Sequence, residues 1–304
     1  MSRVLVLLAS YNGEAWIREQ IESVLAQKDV EVAVLVGDDC SQDNTMHIVK
    51  EMACDPRISI LKSQGRSGGA GQNFLRLLEN SDLSGFDFVA FCDQDDIWLE
   101  HKLARAITEM DKAGVDGYSA PVLAFWPDGR EQLLLQNRVV TDLDYIFEGA
   151  GQGCTFTLRQ DFALRVRDFL KENRMQLKSV HYHDWLVYSL ARAWVRGWIF
   201  DDMVGVRYRQ HGNNDTGARR GFSGILKRLG LLRSGWYCNQ VDSIVGCLNA
   251  AFPIAALPVD FQSVWFSRPG ISRRVRLSHM LLVRGRRRSS DRLILFASAL
   301  AGWI

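Results

Sequence analysis

The six cysteines of this 304-residue chain, Cys40, Cys54, Cys92, Cys154, Cys238 and Cys247, include no Cys-x-x-Cys pair and no zinc-like spacing. That argues against a zinc module or a disulfide framework and suits free thiols in a cytosolic protein. Long hydrophobic runs are missing as well. No stretch reaches the roughly 18 apolar residues of a membrane-spanning helix. The run Val4–Leu8 behind Met1-Ser2-Arg3 is too short for the apolar core of a signal peptide and reads as a first core strand. The expectation is a soluble or peripheral protein. There is no internal repeat, and the glycine-rich Gly65–Asn73 lacks the Gly-Lys-Ser/Thr ending of a phosphate-binding P-loop. Acidic residues are scarce at one end only. Residues 218–304 hold 14 Lys/Arg against 3 Asp/Glu, a balance of +11, whereas the first 217 residues balance at −9. An acidic front and a basic rear suggest a metal-dependent body with a tail drawn to phosphate-bearing surfaces.

What the chain does have is a set of largely apolar strand-like segments that stop abruptly in polar residues. Val4–Ala9 ends in Ser10-Tyr11-Asn12, Val30–Val36 ends in Gly37-Asp38-Asp39, and Phe86–Cys92 ends in Asp93-Gln94-Asp95-Asp96. Helical spacing falls between them, at Glu14–Gln27, Asn44–Met52, Gly68–Glu79 and Leu99–Ala113, with Ile58–Leu61 as a further strand. Strands alternating with helices predict an open α/β sheet, whose ligands bind at the carboxyl ends of its strands. Three carboxylates in four positions repel one another, and a bound cation relieves that repulsion; hard oxygen ligands suit Mg²⁺ or Mn²⁺. After residue 115 the rhythm changes. A β-ribbon is expected over Gly117–Trp126 and Glu131–Leu135, strands at Cys154–Leu158 and Val204–Tyr208, and helices at Asp161–Lys171 and Asp184–Arg196, each opened by an Asp able to cap it. Asp96 reads either as a cap for the helix from Leu99 or as a carboxylate behind the metal ligands.

Ala9-Ser10-Tyr11-Asn12-Gly13, Asp38-Asp39 with Ser41, Asp43 and Thr45, and Cys92–Trp98 together resemble family 2 glycosyltransferases, inverting metal-dependent enzymes of the GT-A fold. His183-Asp184-Trp185 and Tyr208–Asn214 resemble its bacterial rhamnosyltransferase branch in particular. The likeness spans residues 3–217. It implies a GT-A Rossmann-like open mixed sheet flanked by helices, divided into a nucleotide-sugar half over about 1–115 and an acceptor half over about 116–217. It implies that Asp39 binds the base of the sugar nucleotide, with Ser10, Asn12, Arg66, Asp93, Gln94 and Arg209 as further donor contacts. Asp95, Asp93 and His211 become the metal ligands. Asp184 becomes the base that takes the acceptor hydroxyl's proton, since inverting transfer needs one carboxylate opposite the leaving group. The implied reaction moves a sugar, L-rhamnose from dTDP-L-rhamnose with UDP-sugars as the alternative, to a lipopolysaccharide-core or lipid-linked saccharide.

The likeness assigns nothing past residue 218. From Arg268 to Arg292 nine arginines are opposed only by Asp291, with aliphatic residues between them. That pattern reads either as a helical face for an anionic membrane, at the inner side of the bacterial cytoplasmic membrane, or as charged helices packed on the body. No nucleic-acid recognition module is present. Two other functions fit part of the pattern. An Asp-x-Asp phosphohydrolase would use Asp93 as nucleophile, although such motifs follow a first strand rather than a fourth. A non-catalytic scaffold would bind sugar nucleotides without transferring them.

Overall fold

The computed structural model describes residues 1–136, 139–212, 229–251 and 257–304. The front half is the alternation that the apolar runs predict: β1 (Ser2–Ser10), α1 (Ile17–Leu25), β2 (Val30–Asp38), α2 (Thr45–Met52), β3 (Ile58–Ile60), α3 (Ala70–Asn80) and β4 (Phe88–Cys92). All five residues of β4 and the last seven of β1 are buried, as expected of central strands covered on both faces. Next come β5 (Ile97–Trp98), α4 (Lys102–Ala113), β6 (Gly117–Ser119), β7 (Val122–Phe125), β8 (Glu131–Leu134), α5 (Asp144–Phe147), β9 (Thr157–Arg159), α6 (Gln160–Glu172), α7 (Arg174–Leu177), α8 (His183–Ala193), β10 (Trp198–Phe200) and β11 (Val206–Arg209).

Two mixed sheets result. The larger has the order β10-β6-β9-β4-β1-β2-β3, with β9 antiparallel to both neighbours and the other pairings parallel. The smaller has the order β5-β11-β7-β8. The expected ribbon is therefore split. Gly117–Ser119 joins the large sheet, Pro121 interrupts the strand because it has no N–H to donate, and Val122–Phe125 pairs with Glu131–Leu134 in the small one. The expected strand at Cys154–Leu158 begins as a 3-10 turn at Gly153–Thr155. The two Asp caps are corrected: the residues at the cap positions are Arg159 and Tyr182, so Asp161 and Asp184 lie inside the first turn.

The basic segment is helical, over Trp236–Ala251, Val259–Trp265, Ile271–Arg284 and Ser289–Ala301. Its expected start near 218 lies outside the described residues. The described helices share one hydrophobic core with the body, which runs from Leu5 and Phe91 through Phe147 and Trp185 to Tyr237, Phe261 and Leu281. Many of its arginines point inward. Arg287 reaches the wholly buried Asp144 at 2.8 Å, where Arg192 and Tyr188 also bond. Arg286 donates to the Phe147 carbonyl, Arg288 to that of Leu135, and Arg284 pairs with Asp142 and Asp260. Among the described residues no helix is long and apolar enough to cross a membrane.

Candidate functional site

The ends of β1, β2 and β4 open into one cavity of about 1230 Å³. Short polar side chains shape its floor. Asp38 accepts hydrogen bonds from the Ser10 hydroxyl at 3.0 Å and the Ser41 amide at 2.8 Å, while Asn12, in the left-handed region at φ 49°, donates its N–H to Ser41. The Gly13 N–H donates to Thr45 at 2.7 Å, and Asp43 accepts from both the Thr45 N–H and its hydroxyl. Asp39 lines the cavity and is 6% exposed. Its carboxylate accepts the Ser67 N–H and stands 3.4 Å from the Arg76 guanidinium. Arg76, which sequence reasoning passed over, also bonds Asn73 and the Gly65 carbonyl and so ties α3 to the glycine-rich loop. Arg66 lies over the Tyr11 ring at the same end of the cavity.

Asp93, Gln94 and Asp95 line the cavity beside them. Gln94 clamps the backbone of Tyr11, accepting its N–H at 2.8 Å and donating to its carbonyl at 2.9 Å, so its amide holds the β1 loop while keeping one N–H and one lone pair for a ligand. Asp95 Oδ2 lies 2.6 Å from His211 Nε2, and the His211 ring stacks on Trp16 at 4.1 Å. Trp16, which falls within the helical spacing of Glu14–Gln27, lines the cavity in the fold. Two neighbouring ligands of a small octahedral cation stand about 3 Å apart, so Asp95 and His211 fit one Mg²⁺ or Mn²⁺ with little movement, and carboxylate with imidazole is a suitable donor set. Asp93 also lies within 4.8 Å of Asp96 and Cys154. Burial pushes the Cys154 thiol well above its ordinary pKa, leaving it neutral and a poor ligand.

Asp96 is wholly buried and does not cap α4; it accepts the Arg209 N–H at 3.0 Å. Burial, and then the charges of Asp95 and Asp93, raise its pKa well above the carboxylate range. Lys102 sits nearby over the Trp98 ring with no hydrogen-bond partner for its ammonium among the described residues, and burial lowers its pKa to about 8. The expectation for Arg209 is corrected. Its guanidinium is held by the Asp95 carbonyl at 2.8 Å and by Glu19, and it does not line the cavity. Arg207 likewise pairs with Glu131. Asn213 and Asn214 lie outside the described residues.

Asp184 reaches the same cavity from α8. Glycine makes this approach possible, since a Cβ on Gly153 would sit 2.5 Å from His183 Nε2 and 3.2 Å from Asp184 Cβ, and one on Gly71 would strike the His181 carbonyl. Burial raises the Asp184 pKa to about 6, against the lowering effect of its own helix's N–H groups, among them the Trp185 N–H at 2.7 Å. His183 stacks on Phe74 at 4.0 Å, and burial lowers its pKa to about 3, so it is neutral. The cavity thus joins Asp39, Asp93, the Asp95–His211 pair and, in Asp184, a carboxylate whose pKa burial has raised toward neutrality.

Comparison with known proteins bears on family and fold. The model of the family described as Glycosyl transferase family 2 matches residues 5–173. The dTDP-rhamnosyl transferase RfbG of Shigella flexneri is 40% identical over 243 residues, covering 79% of this chain and 84% of that protein. A UDP-Glc:alpha-D-GlcNAc-diphosphoundecaprenol beta-1,3-glucosyltransferase, WfgD of Escherichia coli, is 38% identical over 37% of this chain and 42% of its own. Among solved structures, S. aureus TarS 1-349 in complex with UDP-GlcNAc aligns with 100% of this chain and 89% of its own, at a TM-score of 0.53 and 17% identity, a likeness of fold alone.

Proposed function

Because the chain belongs to glycosyl transferase family 2, we propose that it transfers L-rhamnose from dTDP-L-rhamnose, with inversion, to a lipid-linked saccharide of a bacterial surface glycan. The observation that carries this reading is the presence of Asp39, Asp93, Asp95 and Asp184 around one cavity in a chain 40% identical to a dTDP-rhamnosyl transferase. Asp39, steadied by Ser67 and Arg76, accepts the imide N–H of the thymine base. Asp95 and His211, with Asp93 beside them in the cavity lining, would hold Mg²⁺ or Mn²⁺, which would neutralise the charge that develops on the departing nucleoside diphosphate. Asp184 takes the proton of the attacking hydroxyl. No covalent intermediate is required, so a single base is sufficient. A phosphohydrolase reading loses its footing with the family match, and a scaffold would have no use for a carboxylate with a raised pKa in the cavity. The enzyme works at the cytoplasmic face of the inner membrane, where a lipid-linked acceptor is found.

A thermal-shift screen tests the donor. With Mn²⁺ present, dTDP-rhamnose at a hundredfold excess over its Kd should raise the Tm by about 5 °C. A larger shift with UDP-glucose or UDP-N-acetylglucosamine would reassign the donor, and equal shifts with and without metal would remove the metal from the mechanism.

A further inference from the structure

The cavity is larger than one donor fills. Its volume of about 1230 Å³ exceeds the roughly 300–1,000 Å³ of sites built for a single small molecule. A chain of contacts shows where the surplus lies. The nucleotide end is at Tyr11, Asp39 and Arg66. From there Phe74 stacks on His183, Gly153 packs on His183 and Asp184, and Gly149 lies against the backbone of Trp185. Arg287 then clasps Glu148 and Gly149, its N–H donating to Glu148 Oε1 and its guanidinium to the Gly149 carbonyl. The cavity therefore continues past Asp184 to the C-terminal helices, beyond the stretch matched by the family model.

Two chemistries meet at that far end. Glu148 and Asp291 supply carboxylates and Gln136 and Gln152 amides, groups that bond sugar hydroxyls; Gln152 Oε1 is buried and makes no hydrogen bond among the described residues. Ile294 and Leu295 follow Asp291 on the same helix, and with Leu231 and Leu232 they line the cavity; Leu231 and Ile294 are half-buried, Leu232 and Leu295 belong to the core. Neither a nucleotide nor a bare oligosaccharide calls for four aliphatic side chains, whereas a hydrocarbon chain gains about 0.8 kcal/mol for each CH₂ removed from water. We propose that this end is the acceptor site and that the C-terminal helices build it for an amphiphilic saccharide, its sugar ring between Asp184 and the Glu148–Asp291 pair and its apolar aglycone on the leucines and Ile294. The inference rests on the glycosyltransferase reading of the same cavity.

Saturation-transfer NMR on the full chain with dTDP bound provides the test, with octyl and methyl glucoside and their N-acetylglucosaminide counterparts as probes, the octyl compounds below micelle-forming concentration. An octyl glycoside should bind at least tenfold more tightly than its methyl counterpart, with saturation reaching both ring and chain protons. Leu231→Ser and Ile294→Ser should each weaken it about fivefold or more while the Kd for dTDP stays within twofold, which also reports an intact fold. Equal binding of octyl and methyl compounds, no binding to the wild type, unaltered octyl binding in both variants, or dTDP affinity falling in step would each overturn the proposal. Failure of the wild type to bind any dTDP-sugar would instead remove the proposed function.

Discussion

With Asp184 as the proposed base, a single carboxylate should couple activity and stability in opposite directions. Its pKa is about 6 when folded and near 3.8 when the chain is unfolded. Between those values the unfolded chain has already released the proton that the folded protein retains, so stability falls as pH rises from about 4 to about 6, by at most roughly 3 kcal/mol. Activity follows the reverse course, because only the ionised form accepts the acceptor's proton. The transfer rate should rise about tenfold per pH unit below 6 and flatten above it. Asp184→Asn should lower kcat by at least about a hundredfold and leave the Kd for the donor within threefold, and it should melt higher than the wild type at pH 7.5. Kinetics, donor titration and melts at pH 5 and pH 7.5 check all three. Near wild-type turnover by the Asn variant would mean that another group is the base.

At the scale of elements, the join between the C-terminal helices and the body depends on where each arginine ends. Arg287 meets Asp144 in the interior, whereas Arg284 meets Asp142 and Asp260 at the surface. Removing one partner of a buried pair leaves an uncompensated charge, so Arg287→Met should cost roughly 3 kcal/mol in urea unfolding, and Arg284→Ala less than about 1 kcal/mol. Equal losses would show that the buried network is not what fastens the helices. This network could not be read from the sequence, where the Arg-rich stretch fits a solvated face as well as a docked one; the choice depends on Asp144, more than 140 residues away. Strands β1 and β4 were legible because burial on both faces imposes apolar runs, and β2 because its valines alternate toward the core; their polar ends followed. The two-residue β5 and the three-residue β10 lack enough sequence to carry a period and exist through pairing with β11 and β6. In the site, the carboxylates were legible as residues but not their partners. Arg76, Trp16 and the Gln94 clamp on Tyr11 join segments that only the fold brings together, and Arg209, expected at the donor, turns toward Glu19.

On the whole molecule, inward-facing arginines still leave an outer face on the helix Ile271–Arg284. Ile271, Val275 and Val283 are 81%, 52% and 50% exposed, and with His279 they recur every four residues along one stripe. Arg274 and Arg276 flank the stripe, and no acidic residue occurs between Arg268 and Ser290. Each aliphatic side chain buried in an acyl boundary contributes roughly 1.5–3 kcal/mol, and each arginine near an anionic surface about 1 kcal/mol. The two terms together would be enough for reversible binding to an anionic bilayer. Co-sedimentation should therefore show binding to vesicles containing phosphatidylglycerol, weaker binding at 0.5 M salt, and little binding to pure phosphatidylcholine. The double change Ile271→Asp and Val275→Asp should reduce binding at least tenfold without altering donor affinity, because the stripe does not line the cavity. Undiminished binding by that variant would place the membrane contact elsewhere on the molecule, and equal binding to neutral vesicles would remove the arginines from the account.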